Sequence, residues 1–221
     1  ILEVPSIVNQ MQPCQDVLRS RLATTGRTIA QPEQQLRISL ARFPDRPQEW
    51  NRLLDRLLAG TDQEAKAIRM VVSRHASDSV KQTAKKSLRE ILRESGVADL
   101  GQEAGIARAR RWARAATMLA VLDDRPCLWS LLVQGEDPQI RTHVIHEIPA
   151  VGIHSDVLVD RLLSDDWDES EGIGLALSLA LYNPATLDRK RLLPHLLGLC
   201  ENHPHPGVHS ACQCLLSRLG A

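Results

Sequence analysis

Residues 128–152 read LWSLLVQGEDPQIRTHVIHEIPAVG. Leu128, Trp129, Leu131 and Leu132 supply the apolar face of one helix, and Gly135-Glu136-Asp137-Pro138 breaks it. Asp137 is a good N-cap, because its carboxylate can take a free backbone N–H. Pro138 suits the first helical position, where its missing N–H would be unpaired anyway. Ile140, Val144, Ile145 and Ile148 then recur at helical spacing. The stretch is a helix, a tight polar turn and a second helix lying back on the first. Ile140, Val144 and Ile145 are expected to be buried between neighbouring helices.

The same unit recurs downstream. Asp156 to Leu163, the loop SDDWDES and Glu171 to Leu181 make a second pair. Asp188 to Cys200, the loop ENHPHPG and Val208 to Leu219 make a third. Aligning the second helices puts Ile140, Ile173 and Val208 in register, in steps of 33 and 35 residues. A period near 34 with two helices per unit marks an α-solenoid, in which stacking supplies the burial that one unit lacks. The expectation is an all-α, HEAT-like solenoid of stacked antiparallel helix pairs, about five or six of them.

Upstream, helices are expected at Val4 to Met11, Asp16 to Leu22, Glu33 to Arg42, Glu49 to Leu58, Gln63 to Arg74, Asp78 to Glu94 and Ile106 to Leu122. Their apolar stripes include Trp50, Leu53, Leu54, Leu57 and Leu58, then Ala67, Met70 and Val71, then Val80, Ala84, Leu88, Ile91 and Leu92. Gly60 should stop one helix, with Thr61 or Asp62 capping the next. Residues 95–105 hold three glycines and no periodicity. The expected organisation is N-terminal repeats at 1–95, a connection at 96–105 and C-terminal repeats at 106–221.

Composition agrees with helix-on-helix packing. Of 221 residues 43% are hydrophobic but only 3% aromatic, so Leu, Ile, Val and Ala must build the core. Lys+Arg 27 balances Asp+Glu 27, which removes any general push toward nucleic acid or an anionic membrane. The charge is unevenly placed: residues 1–114 hold 20 basic and 13 acidic side chains, a net +7, and residues 115–221 hold 7 and 14, a net −7. Five cysteines at irregular spacing form no disulfide framework, which points to a reducing, cytoplasmic compartment. No apolar run approaches the ~18 residues of a membrane span. The chain starts at Ile1 without a signal segment, as expected of a piece of a larger polypeptide.

The Asp-Pro-x-Ile-Arg start at 137–141 resembles the HEAT-repeat signature. More broadly, CLWSLLVQGEDPQIRTHVIHEIPAVG and LLPHLLGLCENHPHPGVHSACQCLLSRLG are similar to a helical region of large bacterial proteins, common in planctomycetes. There it lies between a serine/threonine protein kinase domain and a formylglycine-generating sulfatase-type domain. Arg141, His146, Pro206, Gly207, His209, Leu215 and Leu216 stand at positions of that pattern, while His203, His205, Cys212 and Cys214 depart from it. VPSIVNQMQP and ISLARFPDRPQEWNRLLDRLLAG fit more loosely. The resemblance implies a non-catalytic middle region and carries no catalytic residue onto this chain.

Four clusters invite a chemical reading. Cys200, His203, His205, His209, Cys212 and Cys214 are zinc-type ligands. Yet Cys212 and Cys214 are two apart on a helix and point to different sides, so packing or loop roles are expected and no metal. His143 and His146 are three apart on a helix, where packing and local hydrogen bonds are expected. Arg108, Arg110, Arg111 and Arg114 surround Trp112, with Lys81, Lys85 and Lys86 upstream. Such a face could grip phosphates and stack a base, and it is the alternative to a solvated helix face. Asp165, Asp166, Asp168, Glu169 and Glu171 surround Trp167, but Gly172 comes too late for a calcium loop. There is no GxGxxG, no phosphate loop, no HExxH and no GxSxG.

The sequence therefore leads to a non-catalytic interaction, scaffold or spacer module without cofactor. Its partner would be another protein or the flanking catalytic domains of the same polypeptide. The expected partner surface is the exposed faces of successive second helices and their turns, at Arg141, Asp165, Asp166, Trp167, Glu171 and His209.

Overall fold

A computed structural model describes residues 31–43, 47–94, 102–135, 137–164 and 166–220. The helices expected at Val4 to Met11 and Asp16 to Leu22, and Asp165, lie outside the described residues. Among the described residues the structure is all-helical, with eleven α-helices, two short 3-10 turns and no strand. No described helix is long and apolar enough to cross a membrane. The chain divides into two units between Gly96 and Val97.

The first unit holds α1 (Pro32–Arg42), α2 (Trp50–Ala59), α3 (Asp62–His75) and α4 (Asp78–Arg93). α1 packs on α2 and α2 on α3. The bend from α1 to α2 closes on the buried Glu49 carboxylate. It accepts a 2.9 Å hydrogen bond from the Ser39 hydroxyl and pairs with Arg52 at 3.5 Å and Arg42 at 3.9 Å. Phe43 and Trp50 meet beside it with ring centroids 6.3 Å apart. The stripes are narrower than the periodicity suggests. Trp50, Leu53, Leu57, Leu58, Ala67, Val71, Val80, Ala84, Leu88 and Ile91 are buried, whereas Leu54, Met70 and Leu92 are only half-buried at the stripe edges.

Thr61 opens α3 with a reciprocal cap. Its hydroxyl accepts the Glu64 N–H, and the Glu64 carboxylate accepts the Thr61 N–H at 2.7 Å while also binding Arg56. Two otherwise unpaired backbone donors are satisfied at once. Thr61→Ala should cost about 1 kcal/mol of stability, read as a lower urea midpoint. An unchanged midpoint would show that the cap is dispensable.

The second unit begins with α5 (Gln102–Val121), so the helix starts inside the stretch expected to be a connection. There follow α6 (Pro126–Leu132), α7 (Pro138–Val151), α8 (Ser155–Leu163), α9 (Glu169–Leu179), α10 (Arg189–Asn202) and α11 (Pro206–Leu219). α6 pairs with α7, α8 with α9 and α10 with α11. Across the pairs, α5 packs on α7, α7 on α9 and α9 on α11.

The caps are those the sequence offers. The Asp137, Asp168 and Asp188 carboxylates and the His205 ring each accept a backbone N–H at a helix start. Gly152 and Gly220 end α7 and α11 at φ 80° and 73°, a left-handed conformation that glycine adopts without Cβ strain. Gly174 lets α9 come close to α6: a Cβ there would stand 3.1 Å from the Leu132 Cβ and carbonyl oxygen.

α5 is the core of this unit. Every residue from Ala113 to Ala120 is buried, including Arg114 and Thr117. Its alanines let α7 approach closely. Arg114 donates Nε to Glu147 Oε1 of α7 at 3.0 Å, with both side chains removed from solvent. On α7 the expected core is displaced. Val144, Ile148 and Val151 are buried, but Ile140 and Ile145, on the two margins of that stripe, are half-buried.

Candidate interaction surface

The expected partner surface comprises the exposed faces of successive second helices with the turns beside them, at Arg141, Asp165, Asp166, Trp167, Glu171 and His209. Successive turns are bonded to one another. The Arg141 guanidinium donates to the Ser170 carbonyl at 2.7 Å, and the Gln134 N–H donates to the Ser170 hydroxyl at 2.6 Å. Burial lowers the Arg141 pKa, with Asp168 opposing it. Glu171 is buried rather than exposed: Arg161 grips it through two hydrogen bonds of 2.7 and 3.0 Å and reaches Asp166 at 3.3 Å. The hydrogen bond to Glu171, more than the nearby charge, raises the Arg161 pKa. Asp166 remains exposed.

Trp167 is half-buried and folded down. Its indole N–H donates to the Leu162 carbonyl at 2.8 Å, and its ring lies where a Cβ on Gly172 would be, 2.3 Å away. The opposite neighbour of the ring is His203, stacked at 5.8 Å in the next turn. His209 is half-buried, with Nε2 held by the His203 carbonyl. These residues form a ladder of ties between successive turns. The opposite edge is tied as well. The Tyr182 hydroxyl donates to the Ile153 carbonyl at 2.8 Å, the Ser155 hydroxyl to the Thr186 carbonyl at 3.3 Å, and Arg191 to Asp160 at 2.8 Å.

The arginines around Trp112 take different places. Arg114 is buried against Glu147. Arg108 lies 5.8 Å over the Trp112 ring and 3.6 Å from Asp137. Arg110 is exposed and Arg111 half-buried.

The Cys and His residues near the C-terminus likewise have structural work. His205 caps α11, and the Cys200 thiol sits 4.0 Å from the His209 carbonyl. Burial, then the adjoining Cys200, pushes the Cys212 thiol up to about 12, so it stays protonated at neutral pH. Among the described residues no group of three or more His, Cys, Asp or Glu side chains is placed to hold a metal ion.

His143 carries a testable charge effect. Burial, then Arg110, His146 and Arg114, hold its pKa below 6.5, with Asp137 opposing. Burial and Arg74 lower His75 in the same direction. Both favour the neutral ring in the fold, so the unfolded chain binds protons first. Their stabilisation is complete above pH 6.5 and is lost as pH falls through the lower folded values. The urea midpoint should drop as pH falls below 6.5, and drop less in a His75→Gln/His143→Gln variant. Equal drops in both proteins would contradict this.

A different feature escaped the sequence reading. Between α7, α9 and α11 runs a groove of about 360 Å³, floored by Ile145, Leu177 and Leu181 and edged by His146, Cys214 and Arg218. Its residues lie far apart in the chain, and the only advance signal is that Ile145 and Leu181 are apolar at the margin of their helical stripes.

No family model, curated protein or solved structure matches this chain.

Proposed function

We propose that the second unit is a HEAT-like α-solenoid, and that the chain serves as a non-catalytic interaction and spacing module of a larger cytoplasmic bacterial protein. The carrying observation is the repeated tie from one helix pair to the next. Gln134 to Ser170 spans 36 residues, Arg114 to Glu147 spans 33, Ser155 to Thr186 and Asp160 to Arg191 span 31, and Ala180 to Arg218 spans 38. Such spacing is what a one-dimensional stack of equal units produces. The serial packing of α5, α7, α9 and α11 supports the same reading.

The chemistry of the polar side chains supports a structural role. Asp137, Asp168 and Asp188 cap helices, and Glu147 and Glu171 bind arginines. The resemblance to the region between kinase and sulfatase-type domains suggests that the flanking domains, or a protein they act with, are what the module holds. Replacing the region in its parent protein by an unrelated helical spacer of equal length tests the reading. Loss of the parent's function is expected; full function would reduce the region to a passive spacer.

A further inference from the structure

We propose that the groove between α7, α9 and α11 docks an amphipathic helix of a partner protein, one with Leu- or Ile-type side chains along its apolar stripe and a carboxylate on its flank. The inference rests on the interaction-module reading and names the surface and the kind of partner. Ile145 and Leu177 are half-buried and Leu181 is 41% exposed, so the floor offers apolar area that an occupant would remove from water. Three helices packed side by side at 8–10 Å make the groove roughly 16–20 Å across, which matches about 11–13 residues of helix at 1.5 Å each. Apolar anchors at i, i+4 and i+7 fit such a floor.

Charge selects the flank. Arg114, Arg161 and Arg191 each meet a carboxylate within the chain. Arg218 does not: its Nε donates to the Ala180 carbonyl at 3.2 Å, and no carboxylate pairs with it among the described residues. That backbone bond leaves Nη1 and Nη2, a pair that can grip a carboxylate bidentately. No acidic side chain lines the groove, although residues 115–221 carry a net −7. An acidic flank facing Arg218 meets no opposing carboxylate in the groove lining, which confers register as well as attraction.

The test uses the whole 221-residue chain and a labelled synthetic helical peptide of about 14 residues, with Leu at i, i+4 and i+7 and Glu on the flanks. A second peptide carries Lys in place of Glu. Saturable binding of the Glu peptide is expected by fluorescence anisotropy, weakened at least about tenfold by Arg218→Glu, by Leu181→Glu, or by the change to Lys. Arg218→Glu should favour the Lys peptide instead. The Glu peptide should also slow alkylation of the exposed Cys214 by iodoacetamide, a readout on the unmutated fold. Equal binding of both peptides, or none, overturns the proposal. So does protection of Cys214 by decanoate but not by peptide, or a concentration-dependent dimer broken by Leu181→Glu. If the peptide fails while the spacer replacement still abolishes function, the groove assignment falls and the module reading stands. If the peptide fails and the spacer is harmless, both fall.

Discussion

Glu147→Ala should lower the unfolding free energy by about 3–5 kcal/mol, the range for removing one partner of a buried ion pair. Arg114 is 0% exposed and sits in the middle of the alanine-rich half of α5. Without Glu147 its charge would be held away from water without its main counter-ion. Water entry or separation of α5 from α7 would relieve it, and either one sacrifices packing. The double variant Arg114→Met/Glu147→Leu should recover most of the loss, because two apolar side chains carry no desolvation penalty. Urea unfolding of the three proteins decides the matter. A single-variant loss under about 1 kcal/mol would show that the pair is solvated and far weaker than its burial implies.

The second large effect is a contrast within α7. Ile148→Ala should cost about 2–5 kcal/mol, since it removes three methyl or methylene groups from a site with no access to solvent. Ile145→Ala should cost less than half of that, because Ile145 is half-buried at the groove and its removal opens no enclosed cavity. Equal losses in denaturant melts would mean that the groove closes over Ile145 in solution.

This contrast also shows where the sequence is legible. Helix starts are local events, and Asp137 with Pro138, Thr61 with Glu64, and Asp188 all announce themselves by residue type. The repeating pair is legible as well, because a helix that cannot bury its stripe alone repeats that stripe in its neighbour. Burial at the stripe edge is not legible, since it depends on how far the adjacent helix extends. Ile145, Met70 and Leu92 look like core and are half-exposed for that reason. Charged residues fail in the opposite direction. Glu171 and Arg114 look like surface, yet each is buried by a partner on another helix, Arg161 and Glu147. Nothing in the local pattern around Glu171 reveals an arginine ten residues earlier, because the two helices fold back at an angle that the turn sets. The groove was invisible for a related reason: it is a gap between three helices, and sequence patterns report contacts.

The ties between successive turns have a consequence for how such a chain can change its length. Every tie joins a residue to one about 29 to 38 positions away, so duplicating or deleting one whole helix pair leaves each remaining tie with its usual span. The closing entropy of each loop is then unchanged. A single residue inserted within α7 or α9 rotates everything after it by about 100° around the helix axis. The apolar stripe would turn outward, and the hydrogen bonds at Ser170 and Ile153 would lose their partners. Relatives of this chain are therefore expected to differ in length by whole helix pairs or within turns, and hardly ever by single residues inside a second helix.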